Sequence, residues 1–312
     1  MTSLLELKQY INNFVGKYEA YLKPVGKLVL SLIVFMTING KMGYMQKLNN
    51  VAIVLIAALM CSFMPTGFIV FLAAVFIVLH MYALSLECAA VVLVLFLVLY
   101  LLYLRLAPKD TVSVAITPIL TAMGIPYIMP VSLGLVGGPE SAASVGCGII
   151  AGRVLMTINK QADALLAMET DDMAERFRFV IDAVLGDKGM ILLVIAAAIT
   201  VFVTYFITKL PIDYSWPIAI AAGTIIDAVV VLIGTLAMKA GISIVGLLFG
   251  SVLAAVIGAI IVFFAYNLDY NRAEKLQFED DDYMYYVRAV PKKSGRKKVR
   301  RVAAQGQRKR PE

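Results

Sequence analysis

The sequence predicts an all-α polytopic integral membrane helix bundle of about eight spans with a broken or re-entrant helical hairpin, and three observations carry that reading. The 312 residues are 61% hydrophobic, with mean hydropathy +0.86 and only 16% charged residues, a composition outside the soluble range. Apolar segments approaching the ~20 residues of a membrane crossing recur along the chain. The stretch 116–153, ITPILTAMGIPYIMPVSLGLVGGPESAASVGCGIIAGR, is equally apolar but is cut by Pro118, Gly124, Pro126, Pro130, Gly134, Gly137, Gly138 and Pro139. Proline removes a backbone donor that hydrocarbon cannot replace, so such backbone persists only where protein shields it or where it lines a cavity.

Residues 1–23 open with the charged, amphipathic run MTSLLELKQYINNFVGKYEA and read as an interfacial helix rather than a cleaved leader, which would place its apolar core near the start. A transmembrane domain over 24–266 follows, with apolar segments at about 25–39, 51–64, 67–84, 86–106, 141–157, 190–208, 213–237 and 241–266. Only Pro65-Thr66 separates 51–64 from 67–84, so those two are either separate spans or one kinked element. The broken segment 111–137 is expected to enter and leave on one side, turning near Gly124-Ile125-Pro126.

Charge sets the expected orientation. Thirteen Lys/Arg follow Tyr270, and basic segments are retained in the cytoplasm. Counting back from a cytoplasmic C-terminus puts the loop 158–189 outside, with its acids Asp163, Glu169, Asp171, Asp172, Glu175, Asp182 and Asp187. A re-entrant 111–137 keeps Lys8, Lys17, Lys23, Lys27, Arg105 and Lys109 inside, so both termini are cytoplasmic. Within the outer loop, Thr170-Asp171-Asp172 reads as a helix start and Gly186 as its stop. Met173, Phe177, Val180, Ile181, Val184 and Leu185 form the expected apolar face, on the membrane surface or on the bundle.

Small residues recur four apart as Gly246, Gly250, Ala254 and Gly258, as Ser144, Gly148 and Gly152, and as Ala219 and Gly223. That spacing makes stripes on which helix backbones approach closely, and the expected compact core is 141–157 with 213–266. Asp227 and Arg153 extend two of these stripes into apolar spans, where each charge costs about 2.5–3.5 kcal/mol on insertion scales. Both lie ~20 Å from the cytoplasmic ends of their spans at ~1.5 Å per residue, so they are placed to meet. They form either a structural ion pair that sets helix register or a coupling site, with Arg153 holding an anion and Asp227 a proton or cation. The broken segment adds Thr117, Thr121, Ser132, Glu140 and Ser144, with freed carbonyls and helix N-termini of the kind that bind solutes in secondary transporters. His80, the only histidine, and Glu87, behind Ser85, read as packing and capping residues.

The region 267–312 reads as a cytoplasmic tail, acidic and aromatic first and polybasic after. Glu279, Asp280, Asp281 and Asp282 precede Tyr283, Tyr285, Tyr286, Val287 and Val290, whose propensity is for a strand. A lone strand is unstable and needs a sheet edge, so residues 279–291, with Tyr283, Tyr285, Tyr286 and Val287, are the expected protein-docking site. The basic arm Lys292–Arg310 has no apolar content to fold and suits anionic lipid headgroups. A second copy of the chain is a further candidate partner, and nucleic acid is not expected.

Cys61, Cys88 and Cys147 lie in apolar segments without a CxxC or Cys/His cluster, so neither disulfide nor metal is expected. No phosphate-binding loop, HExxH, GxSxG or dinucleotide fingerprint occurs. The expectation is therefore a non-enzymatic protein without cofactor in a bacterial cell membrane. It is a secondary transporter or permease-like subunit with its site at the broken hairpin, or else a scaffold of a cell-envelope assembly that docks partners through the tail.

Overall fold

The computed structural model describes residues 2–168, 173–265, 274–279 and 283–289. The helices are α1 (Thr2–Lys17), α2 (Glu19–Met42), α3 (Val51–Phe63), α4 (Gly67–Leu84), α5 (Leu86–Leu106), α6 (Thr111–Ala122), α7 (Ile128–Val136), α8 (Ser141–Leu166), α9 (Met173–Leu185), α10 (Lys188–Lys209), α11 (Ser215–Met238) and α12 (Ile244–Ala265). Two strands follow, β1 (Glu274–Glu279) and β2 (Met284–Ala289). The described residues of 19–265 form one compact unit, and those of 2–18, 274–279 and 283–289 belong to another.

Helix starts follow local chemistry. Asn50 accepts from the Ala52 N–H at 2.9 Å ahead of α3, and Ser85 accepts from the Cys88 N–H at 3.1 Å ahead of α5, each satisfying an orphan donor of the first turn. Seven helical stretches are long and apolar enough to cross a membrane, those containing α2, α4, α5, α8, α10, α11 and α12. The expected eighth span, 51–64, is the 13-residue α3, which at ~1.5 Å per residue covers ~20 Å of a ~30 Å hydrocarbon core. It is not one kinked element with α4. Ser62 bonds the Pro24 carbonyl at 2.9 Å and Ser31 the Ala58 carbonyl at 3.4 Å, so α3 runs antiparallel to α2. Phe35 stacks on Phe76 at 4.7 Å and Asn39 meets His80 at 2.9 Å, so α4 runs parallel to α2. Residues 64–66 therefore reverse the chain.

The re-entrant hairpin is α6 and α7. Asp110 bonds Ser144 at 3.1 Å, and further along Thr117 packs on Gly148 and Thr121 on Gly152, so α6 runs parallel to α8. Tyr127 packs on Gly250 and Leu135 on Gly258, so α7 runs parallel to α12. Because α8 and α12 point in opposite directions through the intervening α10 and α11, α6 and α7 do as well. The turn holds Gly124 at φ +80°, a conformation open to glycine and strained elsewhere. Twelve and nine residues reach only ~18 and ~14 Å, so neither limb crosses a bilayer alone.

Two of the small-residue stripes pack closely on the hairpin, and the third, through Gly223 of α11, packs on Thr204 of α10. The α8 stripe takes α6, where a Cβ on Gly148 would stand 2.5 Å from the Thr117 Cβ and one on Gly152 2.9 Å from the Pro118 carbonyl. The α12 stripe takes α7. The core expected between 141–157 and 213–266 is thus occupied by the broken segment, whose freed backbone is shielded by glycine-lined neighbours rather than exposed to lipid.

The described part of the tail differs from the expectation of a lone strand. Residues 284–289 pair with residues 274–279 as an antiparallel hairpin in the register Glu274↔Ala289 to Glu279↔Met284. AEKLQFE reads as polar exit peptide, yet Leu276 and Phe278 alternate in it and face Val287 and Tyr285 in register, which is the period of a strand. Asp280, Asp281, Asp282, Val290 and the basic arm lie outside the described residues, as does the helix start expected at Thr170-Asp171-Asp172.

Candidate functional site

The site begins where α8 passes the hairpin turn. Arg153 does not meet Asp227. Its Nε and Nη2 donate to Asp187 Oδ2 and Oδ1 at 2.8 and 2.6 Å. The Asp187 carboxylate also accepts from Thr157 at 3.2 Å and from the N–H groups of Gly189 and Met190 at 2.9 and 3.2 Å, which makes it the N-cap of α10. Distance along the spans permits the Arg153–Asp227 pair, but Asp187 sits at the end of the antiparallel neighbour, where a capping carboxylate offers a bidentate surface. Gly189 makes room for the guanidinium: a Cβ there would stand 2.6 Å from Arg153 Nη2. Arg153, Thr157, Asp182 and Asp187 line an open polar cavity of about 320 Å³.

Asp227 lies deeper, 2% exposed, on the face of α11 that packs against α10. Thr200 donates to its Oδ1 at 3.1 Å, while Oδ2 has no partner. One turn along α10, the buried Thr204 hydroxyl is also without a partner, packed where Gly134 and Gly223 leave space for its side chain. Tyr127, at the start of α7, is buried and lies within electrostatic reach of both Arg153 and Asp227. Buried polar groups thus lie between α10 and α11 at Asp227, Thr200 and Thr204, and an open polar cavity lies at Arg153.

The other hairpin hydroxyls face their own backbone. Thr117, Thr121 and Ser132 donate to carbonyls four residues back at 2.7, 2.8 and 2.7 Å, and Ser144 donates to Ser141 O at 2.8 Å as well as to Asp110. These bonds close locally within α6, α7 and α8, and none of the four hydroxyls bonds Arg153 or Asp227. Glu140 is exposed at the start of α8, makes no side-chain cap, and folds back over Gly138.

His80 is fully buried. The Met45 N–H donates to Nδ1 at 3.1 Å, so Nε2 carries the proton and donates to Asn39 Oδ1 at 2.9 Å, a neutral tautomer that ties the 43–50 loop to α2 and α4. Glu87 does more than cap a helix: it pairs with Arg176 of α9 at 3.4 Å, with both side chains under a tenth exposed. Arg176, Val180 and Val184 form the buried face of α9, whereas Met173, Ile181 and Leu185 of the expected face are exposed. The signal for Arg176 is its place four and eight residues before Val180 and Val184, where a lone cation on an apolar stripe calls for an acid.

No protein-family model matches the chain, and neither a curated protein nor a solved structure matches it.

Proposed function

We propose that the chain is a multi-pass transport protein of the cell membrane, a secondary transporter or permease-like subunit for a small solute or ion, with its site at the re-entrant hairpin and Asp227 as the coupling group. The observation that carries this reading is the unpartnered Oδ2 of Asp227, buried one turn from the unpartnered Thr204 hydroxyl. Ionisable groups at membrane depth are expensive, and those that occur face pathways or partners. A carboxylate so placed needs a proton or a cation to neutralise it. Ca²⁺ and Mg²⁺ want six or more oxygens, and the side chains here supply few, so a proton is the better fit. Re-entrant elements of this kind hold solutes near the midplane of secondary transporters, and the polar cavity beside Arg153 supplies an entrance. Thirteen basic residues after Tyr270 orient both termini to the cytoplasm.

Cysteine accessibility tests it. In a background without Cys61, Cys88 and Cys147, all buried, Thr204→Cys is expected to react with a membrane-impermeant thiol reagent. Phe206→Cys, on an exposed apolar face, is expected not to. An inert thiol in Thr204→Cys means a dry bundle and removes the transport reading.

A second reading is a membrane scaffold that docks partners through its tail. The β1–β2 hairpin supports it, since Tyr283, Tyr285, Tyr286 and Val287 are all exposed and a two-stranded ribbon is stabilised by an added strand. Truncation before Glu274 then abolishes partner recovery from native membranes, whereas a transporter keeps its basic activity.

A further inference from the structure

We propose that the cavity between α2, α4, α5, α6 and α8 binds one anionic phospholipid, with an acyl chain inside and the headgroup at Lys41 and Lys160. The cavity measures about 250 Å³, the space of roughly eight waters at ~30 Å³ each. Val34, Ile77, Phe96, Ala115, Ile119 and Leu155 are among its walls. The polar atoms of Thr37, Tyr103 and Cys147 on those walls are spent on Ile33, Thr111 and Leu99. A buried water needs two to four polar partners, so hydrocarbon is the stable filling of such a space.

Polarity gathers at one end. Lys41 of α2 and Asn159 and Lys160 of α8 line the cavity there. Asn159 holds the rim together, with Nδ2 donating to the Lys41 carbonyl at 2.8 Å and Oδ1 accepting from the Tyr44 hydroxyl at 2.8 Å. Neither lysine forms an ion pair among the described residues, and Lys160 also borders the polar cavity at Arg153, Asp182 and Asp187. An apolar space that ends in two lysines without an ion-pair partner matches a ligand with an apolar tail and an anionic head. A zwitterionic lipid carries the same phosphate but brings its own cation beside the two lysines. The helices that enclose the cavity include four that are long and apolar enough to cross the membrane, so the bilayer itself is the source of the ligand. Pro118 and Ile119 of α6 are part of the wall, so the acyl chain rests against the hairpin. This inference stands apart from the transport reading.

The test uses the full chain reconstituted in vesicles of equal phosphatidylglycerol and phosphatidylcholine, re-extracted in mild detergent and weighed by native mass spectrometry. One phosphatidylglycerol per chain is expected to remain bound. Lys41→Gln with Lys160→Gln, both exposed positions, is expected to leave the melting midpoint unchanged and to weaken retention about thirtyfold, which converts to about 2 kcal/mol, or ~1 kcal/mol per basic residue. Ala151→Trp, which places bulk in the cavity, is expected to abolish retention. Equal retention of phosphatidylcholine, retention indifferent to the lysines, no retained lipid, or a second copy of the chain in place of lipid would each overturn the proposal.

Discussion

Arg153 and Asp187 meet side-on, Nε to Oδ2 at 2.8 Å and Nη2 to Oδ1 at 2.6 Å, and the same carboxylate caps α10 through the N–H groups of Gly189 and Met190. One residue therefore couples the middle of α8 to the start of α10. Asp187→Ala removes both the cap, worth about 1 kcal/mol, and charge-assisted bonds worth about 1.5–3 kcal/mol. A loss of about 2–4 kcal/mol is expected. Asp187→Asn keeps an acceptor for the cap and loses only the charge, so its loss is expected to be about half as large. Unfolding midpoints in one detergent compare the two, and equal losses would mean that the charge pairing alone matters and the cap contributes nothing.

The glycine stripes predict a sharp contrast between positions. A Cβ on Gly152 would stand 2.7 Å from the Thr121 Cβ and 2.9 Å from the Pro118 carbonyl, so backbone must move, whereas one on Gly26 meets nothing within 4 Å. Gly152→Ala is expected to destabilise by about 1–3 kcal/mol through overpacking. Gly26→Ala, inside α2, is expected to stabilise by about 0.5–1 kcal/mol through helix propensity. The same thermal scans measure both, and a neutral Gly152→Ala would show that α6 does not press on α8.

The hairpin is legible in the sequence because its cause is local: prolines and glycines interrupt an apolar run, and only a shielded reversal accommodates them. The glycine stripes are legible for the same reason, since periodicity lies within one helix. What they face is not, because a stripe carries no record of its partner, and here the α8 and α12 stripes meet α6 and α7 whereas Gly223 of α11 meets the full span α10. The pairing of Arg153 fails to read for a related reason. Depth along a span allows Asp227 and Asp187 alike, and Asp187 looks like one more acid of an outer loop until α10 is seen to begin at Lys188. Arg176 is missed because the apolar face read for α9 includes Met173, Ile181 and Leu185, whereas the buried stripe is Arg176, Val180 and Val184, and β1 is missed behind a polar composition in which only Leu276 and Phe278 alternate.

Asp227 predicts a spectroscopic result. With Oδ2 unpartnered and the side chain 2% exposed, the group is expected to be neutralised by a proton, so the infrared spectrum at neutral pH carries the carbonyl stretch of a protonated carboxyl. Asp227→Asn is expected to remove that band and to shift stability by no more than about 1 kcal/mol, because the Thr200 hydroxyl keeps an acceptor. A band that vanishes when sodium is added would assign the site to a cation instead.

Glu87 and Arg176 make an imperfect buried pair: Arg176 Nη1 stands 3.4 Å from Glu87 Oε1, and the Arg176 Nε has no partner. Desolvation of two charges is not well repaid by that geometry, yet deleting one leaves the other buried and uncompensated, at about 3–5 kcal/mol. Glu87→Gln is therefore expected to loosen α9 from α5, whereas Glu87→Leu combined with Arg176→Met is expected to hold it as firmly as the native pair or more so. Trypsin reports the difference at Arg178, which is exposed on the far side of α9. Cleavage there is expected to accelerate at least tenfold in Glu87→Gln and to stay at the native rate in the apolar double variant. Fast cleavage in both would mean that α9 is held by the ion pair itself and not by the packing of Val180 and Val184.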